Sequence, residues 1–468
     1  MSCLMGYYLM PHPPIIIPEV GRGEEKKIKN STQAAEKVAL DIKRIAPETI
    51  VVITPHGLMF RDAISVSYDL NIAGSLYRFG APSVTIKKEI DLDVIDKLAE
   101  FSKAEGIPLI KFDQKTTQGY NRAFELDHGT LIPLYFIEKE YTNYKIVHIT
   151  YSLLSDFDLF RFGNLIKESL KSLNRKAVII ASGDLSHRLT KDGPYPYSPR
   201  GKEFDKTLID SLKKGDLTGI MKLDEEFAEE AGECGLRSVR ILLGALNTDF
   251  KGELLSYEGP FGVGYGVMKL IPHPTGKDYL KIFETERAKK NKKKREGEDM
   301  YVKLARKSIG EFLKTGKIMP VPDDLPKEIL SRKGGVFVTL KKHGYLRGCI
   351  GTYLPTRDSL VEEIIHNAVS AAFQDPRFNP LHKSEFAELD ISVDILSTPV
   401  KAKKEELNPK IYGVIVSSGY KRGLLLPDLE GVNTAIEQLR IACEKAGIPP
   451  NSNYEIYKFT VERHGDKS

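Results

Sequence analysis

The chain has 468 residues, 41% of them hydrophobic and 28% charged, with a formal net charge of +5. That length is too great for one ordinary core and predicts two or three domains of globular composition. So small a charge does not by itself call for nucleic acid, no apolar run reaches the roughly 20 residues that span a bilayer, and the N-terminus lacks a basic region leading into an apolar signal core.

Tyr7 to Met10 predicts a strand that runs into Pro11-His12-Pro13-Pro14. Ser31 to Ala46 has helical spacing, with Ala34, Val38, Leu40, Ile42 and Ile45 as its apolar stripe. Thr49 to Gly57 is an apolar β-branched run that stops at Pro55-His56-Gly57, a buried strand delivering a histidine to its end. Ala63 to Tyr68 alternates like a half-buried strand, and Leu92 to Glu105 reads as an amphipathic helix. Lys145 to Tyr151 predicts a strand, Leu159 to Leu173 a helix, and Ala177 to Ala181 a strand running into Ser182-Gly183-Asp184-Leu185-Ser186-His187. This alternation predicts an α/β fold, with a mixed central sheet flanked by helices. Lys202 to Leu246 looks mostly helical, Glu253 to Tyr257 and Gly264 to Ile271 look like closing strands, and the first domain is placed at residues 1–283.

Arg287 to Arg295 is a basic block without an apolar face, read as a solvated linker or helix end within 284–299 rather than as a nucleic-acid patch. A separate α+β domain is expected over 300–468. Its predicted elements are helices at Tyr301 to Lys314, Asp358 to Phe373 and Asn433 to Ala446. Paired strands are predicted at Gly335 to Leu340 and Tyr345 to Thr352 around His343-Gly344, with further strands at Leu389 to Leu396, Gly413 to Ser417 and Tyr454 to Val461. The four cysteines, Cys3, Cys234, Cys349 and Cys443, are scattered without a C-x-x-C pair, which fits a reducing, cytoplasmic compartment and indicates neither a zinc ribbon nor a disulfide framework.

Open α/β sheets bind ligands beyond the carboxyl ends of their strands, so His12, His56 and His187 are candidates for one shared site. Neutral imidazoles on rigid strand ends suit iron, copper or zinc, which makes His12 and His56 the leading metal ligands. A third ligand is expected from Glu233 or Cys234, because Gly232 and Gly235 bracket the start of the apparent helix Leu236 to Leu246, whose N-terminus favours an anion. Two histidines and a carboxylate would make a facial triad for Fe(II); two histidines and a thiolate suit a softer metal such as copper. His187 could act as a general base, and His128, in Asp127-His128-Gly129-Thr130, could orient substrate or a proton. His148, inside a strand pattern, reads as structural.

At these residues the chain resembles the class III extradiol dioxygenase (LigB) superfamily, including its Memo branch. The matching stretches are Pro-His-Pro around His12, Thr-Pro-His-Gly around His56, Asp-His-Gly-Thr around His128, Gly-Asp-Leu-Ser-His ending at His187, and Pro260 to Gly266. The resemblance covers about the first 280 residues and implies an Fe(II) site at His12 and His56 with a glutamate, and His187 as the acid/base of ring opening. Cys234-Gly235-Leu236-Arg237 is closer to the cysteine-containing motif of Memo proteins. The implied function is a metal-dependent oxidoreductase; the alternative is a Memo-like non-oxygenase that binds a metal or a peptide.

In the second half, Arg347-Gly348-Cys349-Ile350-Gly351 lies on a predicted strand that turns Arg347 and Cys349 to one face. Ala371 to Phe378, containing Gln374, Asp375 and Arg377, reads as a helix end and a turn. These two stretches resemble the AMMECR family over roughly Met300 to Val461. Arg347, Cys349, Gln374, Asp375 and Arg377 could line a polar cleft for an anionic or nucleotide-like ligand; equally, Cys349 could be a small buried residue while Asp375 and Arg377 fix the turn. Proteins resembling the two halves often occur beside a radical SAM protein, which suggests such a partner. The chain lacks the cysteine trio needed to hold that cluster itself. A small-molecule or peptide ligand and a homo-oligomer are both compatible with this reading.

Overall fold

Parallel strands covered on both faces need continuous apolar runs, and this chain supplies four of them. Residues 3–342, 344–429, 431–449 and 452–465 are described by the structure, a computed structural model, and the chain divides into two compact units, Met1–Glu286 and Arg287–Ser468. His343, at the predicted hairpin turn, lies outside the described residues.

In the first unit the strands are β1 (Leu4–Met10), β2 (Thr49–Thr54), β3 (Ile64–Ser67), β4 (Asn71–Leu76), β5 (Ala81–Glu89), β6 (Leu109–Phe112), β7 (Lys145–Thr150), β8 (Ala177–Ser182), β9 (Phe250–Glu258) and β10 (Tyr265–Pro272). Eight of them form one sheet in the order β6-β3-β7-β2-β8-β1-β10-β9. The central four, β7, β2, β8 and β1, are mutually parallel, and β10 closes against β1 in the antiparallel sense. β2 and β8 are buried at every residue. Helices Lys29–Ile45, Leu92–Glu105, Asp156–Ser172 and Leu236–Leu246 turn apolar stripes into the same core. The expected mixed sheet flanked by helices is therefore present. The hairpin of β4 and β5, the short β6, and the helix His128–Glu138 add to it. They were not anticipated, because β6 has only four residues and the helix is apolar nearly all round, so neither shows a clear period.

Of the two readings of the basic stretch, a solvated linker or a helix end, the structure has the second, since Arg287 to Arg295 form the C-terminal part of the helix Tyr279–Glu296. The second unit contains β11 (Gly335–Lys342), β12 (Tyr345–Thr352), β13 (Leu389–Leu396), β14 (Val400–Lys401), β15 (Gly413–Ser418), β16 (Lys421–Leu425), β17 (Glu455–Phe459) and β18 (Val461–His464). These make two four-stranded sheets, β12-β11-β13-β18 and β14-β17-β15-β16. Helices Met300–Thr315 and Leu360–Phe373 share a core with the first, and Ala435–Ala446 with the second. The predicted single strand from Tyr454 to Val461 is divided at Thr460, which exchanges hydrogen bonds with Ser397 (3.0 and 2.9 Å) as the chain passes from one sheet to the other. Among the described residues, no helix is long and apolar enough to cross a membrane.

Candidate metal centre

Because the four central strands are parallel, their carboxyl ends share one edge of the sheet. The register levels those ends: Met10 lies opposite Ser182, Leu9 and Ile53 both lie opposite Ala181, and Thr54 lies opposite Thr150. His12, His56 and the segment from Asp184 to His187 therefore leave the sheet side by side, although 175 positions separate His12 from His187 in the chain.

The rings of His12 and His56 meet with 3.0 Å between their Nε2 atoms. His128, the first residue of the helix His128–Glu138, stacks on His56 with ring centroids 4.2 Å apart. One ligand atom from each of His12, His56 and His128 lies within 4.8 Å of the others. His128, expected to orient substrate or a proton, is thus the residue brought into the group with the two predicted ligands.

His12 is held from two sides. Its backbone N–H donates to Asp184 Oδ1 at 2.8 Å, and its Nδ1 lies 2.9 Å from Ser182 Oγ. The Ser182 hydroxyl donates to the carbonyl of Gly129 at 2.5 Å, so towards His12 it can only accept. His12 therefore carries its proton on Nδ1, and the Nε2 lone pair faces His56 and Cys234. A hydrogen-bonded Nδ1–H with a free Nε2 is the usual state of a metal-ligating histidine.

Burial pushes the pKa of all three imidazoles down: His12 well below its ordinary value, with repulsion from His56 and His128 adding to the effect; His56 to about 4, with His128 adding; and His128 below its ordinary value, despite the opposing Asp127 charge. Three neutral imidazoles converging in this way suit a cation. Asp127, immediately before His128, accepts from Thr54 Oγ1 at 2.6 Å and pairs with His148 Nε2 at 2.8 Å, while His148 Nδ1 meets Ser67 Oγ at 2.7 Å. Burial alone would raise the Asp127 carboxyl, but the His148 and Thr54 hydrogen bonds hold it well below the usual carboxylate range. His148, read as structural, is one support of this loop. Ser182, Asp184 and Asp127 were missed as supports; their only sequence signal is their position within the strand-end motifs.

The other candidates lie around the group. Gly183 and Gly235 cross in contact: a Cβ on Gly183 would stand 2.2 Å from Gly235 Cα. This approach brings Cys234 Sγ to 3.7 Å from His12 Nε2. Burial, with the charges of Asp184 and Glu233, pushes that thiol well above its ordinary pKa. Glu233 Oε2 instead accepts the Leu236 N–H at 2.6 Å, capping the helix Leu236–Leu246, and burial raises its carboxyl. His187 packs edge-on against Tyr195, with centroids 5.2 Å apart. Its pKa is lowered by burial, against the opposing effect of the Gly232 backbone and with repulsion from His56 adding to it, and its buried Nδ1 has no hydrogen-bond partner among the described residues.

In the second unit, Asp375 accepts from the Cys349 N–H at 2.9 Å and from Arg377 Nη2 at 2.7 Å. Arg347 makes a two-point pair with Glu385, at 2.9 Å for each bond, and Gln374 accepts from Ser370 Oγ. Cys349, Asp375 and Arg377 are thus joined in one hydrogen-bonded group, whereas Arg347 and Gln374 bond elsewhere.

The family described as the catalytic LigB subunit of aromatic ring-opening dioxygenase matches residues 6–268, and the AMMECR1 family matches residues 302–464. A protein of Clostridium acetobutylicum is 51% identical over 463 residues, covering 98% of this chain and 99% of the relative. A Thermotoga maritima protein is 53% identical over 171 residues, 36% of this chain and 98% of the relative. The crystal structure of an uncharacterized protein of Pyrococcus horikoshii is similar at 37% identity and a TM-score of 0.34, covering 36% of this chain and 90% of that one. The strand-end histidines lie in or beside motifs within the first matched region, and the chain belongs to the LigB family, its LigB domain followed on the same polypeptide by an AMMECR1 domain.

Proposed function

We propose that the LigB domain is a metal-dependent oxidoreductase acting on a small hydroxylated substrate of catechol type. In this reading His12, His56 and His128 hold Fe(II), and His187 is the acid/base. The observation that carries it is the His12 Nε2 lone pair, fixed by the Ser182 relay and lying 3.0 Å from His56 Nε2. When bound, iron would supply the redox chemistry and acidify a hydroxyl of the substrate. His187, neutral through burial and with an unpartnered Nδ1, is suited to take that proton and return it to the product. Glu233 is a poorer ligand candidate here because its carboxylate caps a helix.

Anaerobic titration with Fe(II), followed by oxygen-uptake measurements over a panel of catechols, tests this reading. One equivalent of iron should bind, and His12→Ala should abolish binding. His187→Ala should retain iron while losing turnover, and absence of oxygen uptake with every catechol would defeat the oxygenase assignment.

A second reading is supported by the distance of 3.7 Å from Cys234 Sγ to His12 Nε2. A softer metal such as copper would draw the thiolate in as a ligand, in a Memo-like non-oxygenase or peptide-binding scaffold that works with a radical SAM partner. Metal stoichiometry in Cys234→Ala, Glu233→Ala and His128→Ala separates the readings. Loss confined to the His128 variant supports the three-histidine site, and loss in the Cys234 variant supports the second reading.

A further inference from the structure

The second unit contains a cavity of about 530 Å³ whose wall is basic and largely unneutralised. Lys303, Arg306, Lys307, Gly310 and Lys314 come from one face of the helix Met300–Thr315, at the spacing of successive helical turns. Lys383 and Phe386 come from the segment before β13, and Arg295 adds a further cation to the wall. The guanidinium carbons of Arg295 and Arg306 both lie 5.9 Å from the centroid of the Phe386 ring, within cation–π range.

The two carboxylates in the wall already have partners. Glu298 takes Arg306 through both oxygens, each 2.9 Å from Nε, and Glu311 lies 3.1 Å from Lys314. Arg295, Lys303, Lys307 and Lys383 have no carboxylate partner among the described residues. Arg295 instead donates to the carbonyl of Ala387 at 3.0 Å. Its charged form is disfavoured by burial first and then by the neighbouring Arg306 charge, and the Glu298 carboxylate offsets these only in part, so an incoming anion would relieve this guanidinium. A second groove of about 520 Å³ shares Arg295 and Lys303 with this cavity and adds Lys292, Asn291 and one carboxylate, Glu296, so that its cations outnumber its acidic groups three to one.

A solvated lysine face would need neither an aromatic floor nor a concavity of this size, which falls in the range of small-molecule sites, about 300–1,000 Å³. A planar group fits over Phe386 and the alkyl stems of the lysines. The unneutralised cations suit phosphate oxygens, and the adjoining groove leaves room for a phosphate chain. We propose that this cavity binds a free nucleotide, its base against Phe386 and its phosphates among Arg295, Lys303, Lys307 and Lys383. This site is separate from the histidine group and does not depend on the reading of the LigB domain.

The test uses the full-length protein and the fluorescent nucleotide mant-ADP, with ADP, inorganic pyrophosphate and a single-stranded oligothymidylate as competitors. Binding should saturate, ADP should displace the probe, and pyrophosphate should do so more weakly. Exposed lysines without ion pairs can be reversed without disturbing the core, so Lys303→Glu, Lys307→Glu and Lys383→Glu combined should weaken binding roughly tenfold or more. Phe386→Leu should weaken ADP but leave pyrophosphate unchanged. The proposal falls if mant-ADP shows no saturation up to about 1 mM, if the triple variant binds like the parent, or if oligothymidylate binds in a way that ADP does not compete.

Discussion

Ser182→Ala would remove the hydroxyl that links His12 to Gly129 while leaving the three imidazoles in place. In the native chain this oxygen accepts from His12 Nδ1 at 2.9 Å and donates to the Gly129 carbonyl at 2.5 Å, and the side chain is fully buried. The variant leaves two buried polar groups without a partner, at about 1–3 kcal/mol each, so the metal-free protein should lose at least about 2 kcal/mol by urea unfolding. The effect on metal is separate. Without the Ser182 acceptor, nothing holds the proton on Nδ1, and loss of such a support lowers metal affinity by about 10- to 100-fold, or about 1.4–2.8 kcal/mol. Competition against a chromophoric chelator, with Fe(II) or Co(II) and wild type alongside, measures this directly. A folded variant that keeps metal affinity within about twofold of wild type would refute the tautomer argument, even if it were less stable.

Gly129→Ala places a Cβ 2.4 Å from Thr54 Oγ1 and 2.8 Å from Asp127 Oδ1, so it should destabilise the first unit by about 1–3 kcal/mol in urea unfolding and weaken metal binding. Asp205 is buried, accepts from Ser186 N–H and Tyr257 O–H at 2.7 Å each, and burial lifts its carboxyl to about 6. Its folded form holds the proton more tightly than the unfolded chain does, so its stabilising effect is full below about pH 4 and is lost as pH rises to about 6. Asp205→Asn should therefore gain on wild type by up to about 3 kcal/mol between pH 4 and 7 and by no more above that; a gap independent of pH would contradict the assignment. Asp375→Ala leaves the Cys349 N–H and the Arg377 guanidinium without their acceptor, and should cost about 1.5–3 kcal/mol of second-unit stability in chemical denaturation.

Residue patterns that depend on neighbouring positions were legible in the chain. The apolar runs ending at Pro11-His12, Pro55-His56 and Ser182-Gly183 became β1, β2 and β8, because an apolar run bounded by proline or glycine is a local signal for a buried strand. The glycine-bracketed start of the helix Leu236–Leu246 was legible for the same reason. Placing the third member of the histidine group was harder. Glu233 and Cys234 had the right chemistry and a helix N-terminus, but that N-terminus takes the Glu233 carboxylate as its own cap.

The amino-acid sequence by itself determined which side chains end the central strands, and therefore that imidazoles would line one edge of a parallel sheet. Only the tertiary structure decided which rings meet, since the order β7-β2-β8-β1 and its register are set by backbone pairing between segments far apart in the chain. The proton position on His12 is a tertiary property too: it depends on a serine 170 residues away that donates to a carbonyl on a third segment. Local periodicity reports the burial of a residue, whereas the distance between two rings depends on how separate segments pack.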